Sequence, residues 1–315
     1  MSGTTNDEAT LVPQTVFHGR ELRFDFPGLR IGVAEYEEGP TGCTVFQLPP
    51  GGAACAVDVR GGSPGTIGSA YEWAHAVCFA GGSLYGLEAT CGVAAELMAR
   101  RGHTVGWDEI ELAVGGIIYD FGRRENSIYP DRELGRAALR SAREGVFPLG
   151  ARGAGRSATV GKTFSFAEGE ASGQGGAFRR IGETRVAVFT VVNAFGAIVD
   201  RDGTVVRGHR DPERGTRTPL VEALEARLPQ AAPGNTTLTA VVTNQQLDRR
   251  SLRQFAVQVH ASLARAIQPF HALVDGDVLC AVSTNDVENG ELTALSLGVV
   301  ASELAWDAVL ASVPD

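Results

Sequence analysis

Between residues 21 and 60, apolar and polar positions alternate in short runs broken by turn residues. The runs "LRFDF", "RIGVAEY", "CTVFQL" and "AACAVDVR" are separated by "PGL", "EEGPTG" and "PPGG", a pattern that predicts strands joined by turns. After the glycine-rich "VRGGSPGT" the period changes. "EWAHAVCFA" carries helical spacing, and "SLYGLEATCGVAAELMARRG" predicts a longer helix that stops at Gly102. Gly86, Ala89, Gly92 and Ala95 fall on its successive turns, the small-residue spacing that lets a helix pack tightly on a neighbour.

Further on, "GGIIYDFG" is an apolar run with a polar tip, and "DRELGRAALRSARE" is an amphipathic helix capped by Asp131. Strands are expected at "RVAVFTVV", "GAIVD" and "GTVVRG", the last two turning at Asp202-Gly203. "TPLVEALEARL" predicts a helix, and "PQAAPG" is the most linker-like stretch. Beyond it come a strand over Leu238 to Thr243 and a helix, "RRSLRQFAVQVHASLARAI", with Leu252, Phe255, Val259 and Leu263 on one face. A strand pair around "VDGDVLCAV" and a last helix, "ALSLGVVASELAWDAVL", complete a mixed α and β chain without internal repeats.

Composition narrows the function classes. A chain of 315 residues that is 43% hydrophobic and 21% charged can bury a sizeable core. A net charge of −9 argues against nucleic acid as a partner. "MSGTTNDEAT" lacks the basic and apolar regions of a signal peptide. The longest apolar stretch, around "VAVFTVVNAFGAIV", is interrupted by Asn193 and too short to span a bilayer. A cytoplasmic protein with no membrane partner is therefore expected. Cys43, Cys55, Cys78, Cys91 and Cys280 form no CxxC pair, and the six histidines show no HExxH spacing. Reduced cysteines, most of them in the core, and no structural metal are expected.

One residue stands apart: of 28 basic residues, only Lys162 is a lysine. Arginine-rich usage alone can reflect a GC-rich genome, but a retained lysine also fits chemistry that needs an amine whose pKa shifts on burial. "GKT" at 161–163 tempts a phosphate-loop reading, yet that loop needs a glycine where Arg156 stands. His260, beside the apolar stripe of its helix, and His271, just before the next strand, read as packing residues.

The string "PGNTTLTAVVTN" has two readings. Pro233, Gly234 and Asn235 form a turn from which a strand simply starts, or Asn235–Thr236 is a bond the chain cuts in itself. Asp275-Gly276-Asp277 is likewise either a hairpin turn or, by alternation, a pair of carboxylates on one face.

With these pieces in place, the chain resembles the self-processing N-terminal-nucleophile hydrolases that include the L-aminopeptidase/D-esterase, the β-aminopeptidases and a nylon-oligomer-hydrolysing branch. The resemblance rests on "LRFDFPGLRIGVAEYEEGPTG", "AVDVRGG", "GGSLYGLEA", "IIYDFG", "YPDRELGRAAL", "GQGGAFRRIG", "VDRDGTVVRG", "GNTTLTAVVTN", "IQPFHALVDGDVLCAV" and "ASELAWDAVL", from about residue 20 to the end. It implies a four-layer αββα sandwich of the α/β (α+β) class. It further implies self-cleavage at Asn235/Thr236 into fragments 1–235 and 236–315, and tetramers of such αβ units. Thr236 becomes the nucleophile, with its freed amine as base. Asp275 and Asp277 orient that residue, Asn193 donates to the oxyanion, and Lys162 and Tyr119 line the site; no metal or organic cofactor is needed. The Asn-Thr junction and the paired aspartates side with the nylon-oligomer branch, which implies endo-cleavage of linear 6-aminohexanoate amides. An aminopeptidase for β- or D-amino acid peptides is the rival within the family.

Overall fold

The computed structural model describes residues 3–211, 215–226, 234–288 and 292–314. Two six-stranded sheets stack face to face. The first runs, edge to edge, through Gln174–Ile181, Thr184–Asn193, Thr236–Gln245, Val278–Val287, Ala53–Val59 and Trp73–Ala74. The second runs through Thr66–Ile67, Ala113–Ile117, Ala76–Ala80, Thr41–Gln47, Arg30–Tyr36 and Arg143–Glu144. Each contains one parallel pair. Thr236–Gln245 lies parallel to Val278–Val287, and Ala76–Ala80 parallel to Ala113–Ile117. Parallel strands need a crossover, and a helix lies in each connection.

Those crossover helices are α1 (Leu87–Arg100) and, after α2 (Arg132–Arg140) and α3 (Leu220–Ala226), α4 (Arg249–Ser262); α5 (Ala294–Ala311) closes the chain. Helices α1 and α2 cover the outer face of the second sheet, and α4 and α5 that of the first. The layers are thus α, β, β, α, as the resemblance implies. One core, with Phe46, Phe79, Phe189, Leu238 and Val278, lies between the sheets. Two others lie under the helices, around Val241, Phe255 and Leu304 on one side and Val45, Val93 and Leu134 on the other. Helix α5 is long and apolar enough to cross a membrane by composition, but its Leu297, Ala301, Leu304 and Ala308 are buried against the first sheet.

Local signals account for several boundaries. The Asp131 carboxylate accepts from Leu134 N–H and starts α2. Gly102, at φ +69°, follows the last turn of α1, where the sequence pattern places the stop. The small residues of α1 have their reason in α2. A Cβ on Gly92 would stand 2.1 Å from the Arg132 carbonyl oxygen, and one on Gly135 would stand 2.0 Å from that of Ala89.

Two elements differ from the sequence reading. "EWAHAVCFA" is extended, forming Trp73–Ala74 and Ala76–Ala80 rather than a helix. All five residues Ala76–Ala80 are buried, because both sheet faces are covered, so the alternation that marks a half-exposed strand is missing. "VDGDVLCAV" supplies one strand, Val278–Val287, and not a pair; the DGD string enters it alongside the Thr236 strand instead of turning a hairpin. The linker-like 229–234 and the end of its preceding helix fall largely outside the described residues.

Candidate active site

Thr236 begins a ten-residue strand buried on both faces. Leu238, Ala240 and Val242 point into the inter-sheet core, so alternation puts Thr236 on the same face. On the neighbouring antiparallel strand Ala187, Phe189 and Val191 do the same, which brings Asn193 to that face, and Asn193 is the register partner of Thr236. The site therefore sits at one end of the space between the sheets.

The bond before Thr236 is held from several sides. Asn235 forms a parallel bridge with Asp275: its N–H donates to Val274 O at 3.2 Å, and its carbonyl oxygen accepts from Gly276 N–H at 2.8 Å. The Thr236 hydroxyl donates to that same oxygen at 2.5 Å. Thr236 is only 3% exposed. Gly234 lies on the Tyr119 ring, where a Cβ would stand 2.8 Å from Cγ, and it adopts φ +92°. Tyr119 in turn packs against Phe121 and Phe166.

Asn193 links this bond to Lys162. Its Oδ1 accepts from Lys162 Nζ at 2.9 Å and from Thr159 N–H at 3.0 Å. Two donors on one side fix the amide's orientation, so Nδ2 faces the other way, toward Tyr119 O at 3.1 Å and Gly234 O at 3.4 Å. Lys162 Nζ also donates to Asn193 O at 2.9 Å and is fully buried. Burial lowers its pKa to about 7, against the opposing pull of Asp275.

Both aspartates are fully buried and use their oxygens on specific donors. Asp275 accepts from Phe195 N–H at 3.1 Å and Ala272 N–H at 3.0 Å. Asp277 accepts from Thr237 N–H at 2.6 Å and faces His271 Nδ1 at 2.8 Å. Burial, and then the charge of Asp277, push Asp275 up to about 7, although its two N–H donors and Lys162 pull the other way. A buried amine and a buried carboxyl shifted toward neutrality from opposite sides mark this cluster as a candidate catalytic site.

The residues singled out in the sequence thus converge on one peptide bond. The aspartates hold the N–H groups of Thr237, Phe195 and Ala272. Sequence reading missed the backbone donor Gly276 and the His271 contact with Asp277, since neither a backbone N–H nor a lone histidine carries a pattern. The phosphate-loop alternative fails. Lys162 is enclosed and bonded to Asn193, and the described residues that follow "GKT" form no helix to receive a phosphate. Among the described residues, no group of three His, Cys, Asp or Glu is placed to hold a metal ion.

Architecture and site together define a protein of the N-terminal-nucleophile-hydrolase fold. The L-aminopeptidase D-Ala-esterase/amidase of Ochrobactrum anthropi, described as a variant of that fold, superposes with a TM-score of 0.69 at 14% identity, covering 95% of this chain and 88% of the other. A Burkholderia sp. β-aminopeptidase gives 0.65 at 18% identity over 94% and 88%. In sequence, the 6-aminohexanoate-oligomer endohydrolase of Paenarthrobacter ureafaciens is 48% identical over 98% of this chain and 90% of its own length. The profile of peptidase family S58 matches residues 24–313. The chain belongs to peptidase family S58 and is a hydrolase of amide bonds.

Proposed function

We propose that the protein cuts its own Asn235–Thr236 bond and then hydrolyses linear amide oligomers of 6-aminohexanoate at internal bonds through a Thr236 acyl-enzyme. The observation that carries the self-cleavage is the arrangement around the Asn235 carbonyl, with the Thr236 hydroxyl and Gly276 N–H both on its oxygen. The hydroxyl oxygen attacks the Asn235 carbonyl carbon, and the C–N bond breaks as the amine leaves with a proton. The resulting ester is opened by water. Asn235 keeps the new carboxyl, and Thr236 keeps its hydroxyl and a free amine.

That amine has an ordinary pKa of about 8, so near neutrality it can take the proton of its own hydroxyl. In turnover, Thr236 attacks the substrate carbonyl, the amine passes the proton to the leaving amine, and water releases the acyl group. Asn193 Nδ2, now on the Gly234 carbonyl, is aimed to donate to the oxyanion; one such donor contributes about 3 kcal/mol. Lys162, adjacent to Asn193, favours the unprotonated Thr236 amine by repulsion when charged. The substrate class is supported by the 48% identity to an enzyme named for it. The functional unit is a tetramer of αβ units in the cytoplasm.

Intact-mass measurement tests the first step. Two species are expected, the smaller beginning Thr-Thr-Leu-Thr, and Thr236→Ala should give one full-length species. Product analysis on a defined 6-aminohexanoate oligomer tests the second. Internal fragments are expected, whereas release of end units alone would assign the protein to the aminopeptidases.

A further inference from the structure

Two aspartate–histidine pairs stand back to back behind the site. Asp277 Oδ2 faces His271 Nδ1 at 2.8 Å, and Asp58 Oδ2 faces His260 Nδ1 at 2.8 Å. The two imidazoles meet edge to face, with centroids 4.6 Å apart and planes at 88°. Phe270 contacts both rings. His260 comes from α4 and is fully buried, and Asp58 is also held by Arg60 at 2.9 Å. A carboxylate only accepts, so the hydrogen on each ring belongs at Nδ1. His260 fits this assignment, since its buried Nε2 has no partner among the described residues and burial holds the ring toward the neutral form despite Asp58.

The backbone points the same way. His271 adopts φ +58°, the left-handed region that side chains other than glycine rarely occupy without a compensating arrangement. Packing alone would be met by an apolar residue in an ordinary conformation. Here the conformation delivers an N–H donor to one oxygen of Asp277, while its other oxygen clamps Thr237 N–H, the first peptide beyond the nucleophile.

We propose that His271 is a positioning residue for the reaction. It fixes the Asp277 carboxylate that sets the start of the Thr236 strand, and His260 of α4, held by Asp58 on the strand Ala53–Val59, backs it. The inference rests on the reading of Thr236 as the nucleophile. His271 acts through Asp277 and touches no reacting atom.

Two variants separate positioning from packing. His271→Phe keeps a ring against His260 and Phe270 but donates nothing. His271→Asn keeps an N–H donor in reach and tolerates the left-handed backbone. The Phe variant should slow both release of the Thr236 fragment and oligomer turnover about 10- to 100-fold in kcat, with KM unchanged within about twofold. The Asn variant should retain most of the rate. A Phe variant as fast as the parent, or Asn and Phe variants equally slow with unaltered melting, would overturn the proposal. Nitrogen NMR of the imidazoles reads the arrangement without activity. Hydrogen at Nδ1 on both rings is expected, and a His271 ring with hydrogen at Nε2 and none at Nδ1 would overturn it. Should the parent chain release no Thr236 fragment, the nucleophile reading falls, and the imidazole spectrum alone then decides the His271–Asp277 contact.

Discussion

Gly276 donates its backbone N–H to the carbonyl oxygen of Asn235 at 2.8 Å, so the residue between the two aspartates polarises the bond that precedes Thr236. Its lack of a side chain has a local cause. A Cβ there would stand 2.3 Å from the Ser63 carbonyl oxygen, which is fixed backbone. The DGD string therefore combines two buried carboxylates with a donor that only a glycine can bring this close.

Gly276→Ala should push the 275–277 backbone away from Ser63 and lengthen the bond to Asn235. Loss of one oxyanion-type donor lowers rates by about 100- to 1000-fold. Because the displacement will be partial, a slowing of at least about tenfold in self-cleavage is expected. The check is the time course of fragment release by mass spectrometry, with circular dichroism confirming the fold. Cleavage at the parent rate would remove Gly276 from the reaction.

Gly234 is the second backbone position the site constrains. Replacing it with alanine adds a left-handed strain of about 1–2 kcal/mol and drives a methyl group into the Tyr119 ring, where the added Cβ would stand 2.8 Å from Cγ. Gly234→Ala should slow self-cleavage by about tenfold. Adding Tyr119→Leu should restore part of that loss, since it relieves the contact but not the backbone strain. Comparing the single and double variants by the same time course separates the two effects. No recovery would mean that the backbone strain carries the whole effect.

How far the sequence reaches depends on how each feature is encoded. Helices α1, α2, α4 and α5 are legible because a cap, a C-terminal glycine or a one-sided apolar stripe is local, and Leu252, Phe255, Val259 and Leu263 are all buried as the α4 pattern requires. Ala76–Ala80 is not legible as a strand, because one covered on both faces loses its period. At the site, Lys162 stands out by composition alone, yet its meaning lies in Asn193, 31 positions away, which it reaches at 2.9 Å. His260 and Asp58 are 202 positions apart, and no local pattern announces such a pair. The DGD string alone reads equally as a hairpin turn, and residues 275 and 277 are singled out only by the family resemblance. Their donors, the N–H groups of Phe195, Ala272 and Thr237, follow only from the fold.

The buried amine of Lys162 makes a prediction about stability that is independent of catalysis. Its pKa falls from an ordinary 10.5 to about 7 in the folded chain. Between those values the unfolded chain holds a proton that the folded chain has lost, so this group makes stability rise with pH across the window. Asp275 acts oppositely. Raised from 3.8 to about 7, it keeps a proton in the folded chain that the unfolded chain has released, and stability falls as pH climbs from about 3.8 to 7. The two together place a minimum of their joint contribution near neutrality. Lys162→Met removes the upper limb. In a Thr236→Ala background, chosen so that both chains are expected to stay full-length, the methionine variant should be favoured relative to its parent most strongly at or below pH 7. That advantage should shrink toward pH 10, by at most about 1.4 kcal/mol per pH unit. Urea unfolding at pH 6.5, 8 and 9.5 (about one window) reads the difference. Parallel stability curves for the two chains would show that Lys162 titrates as an exposed amine does, and would remove it as a group poised near neutrality.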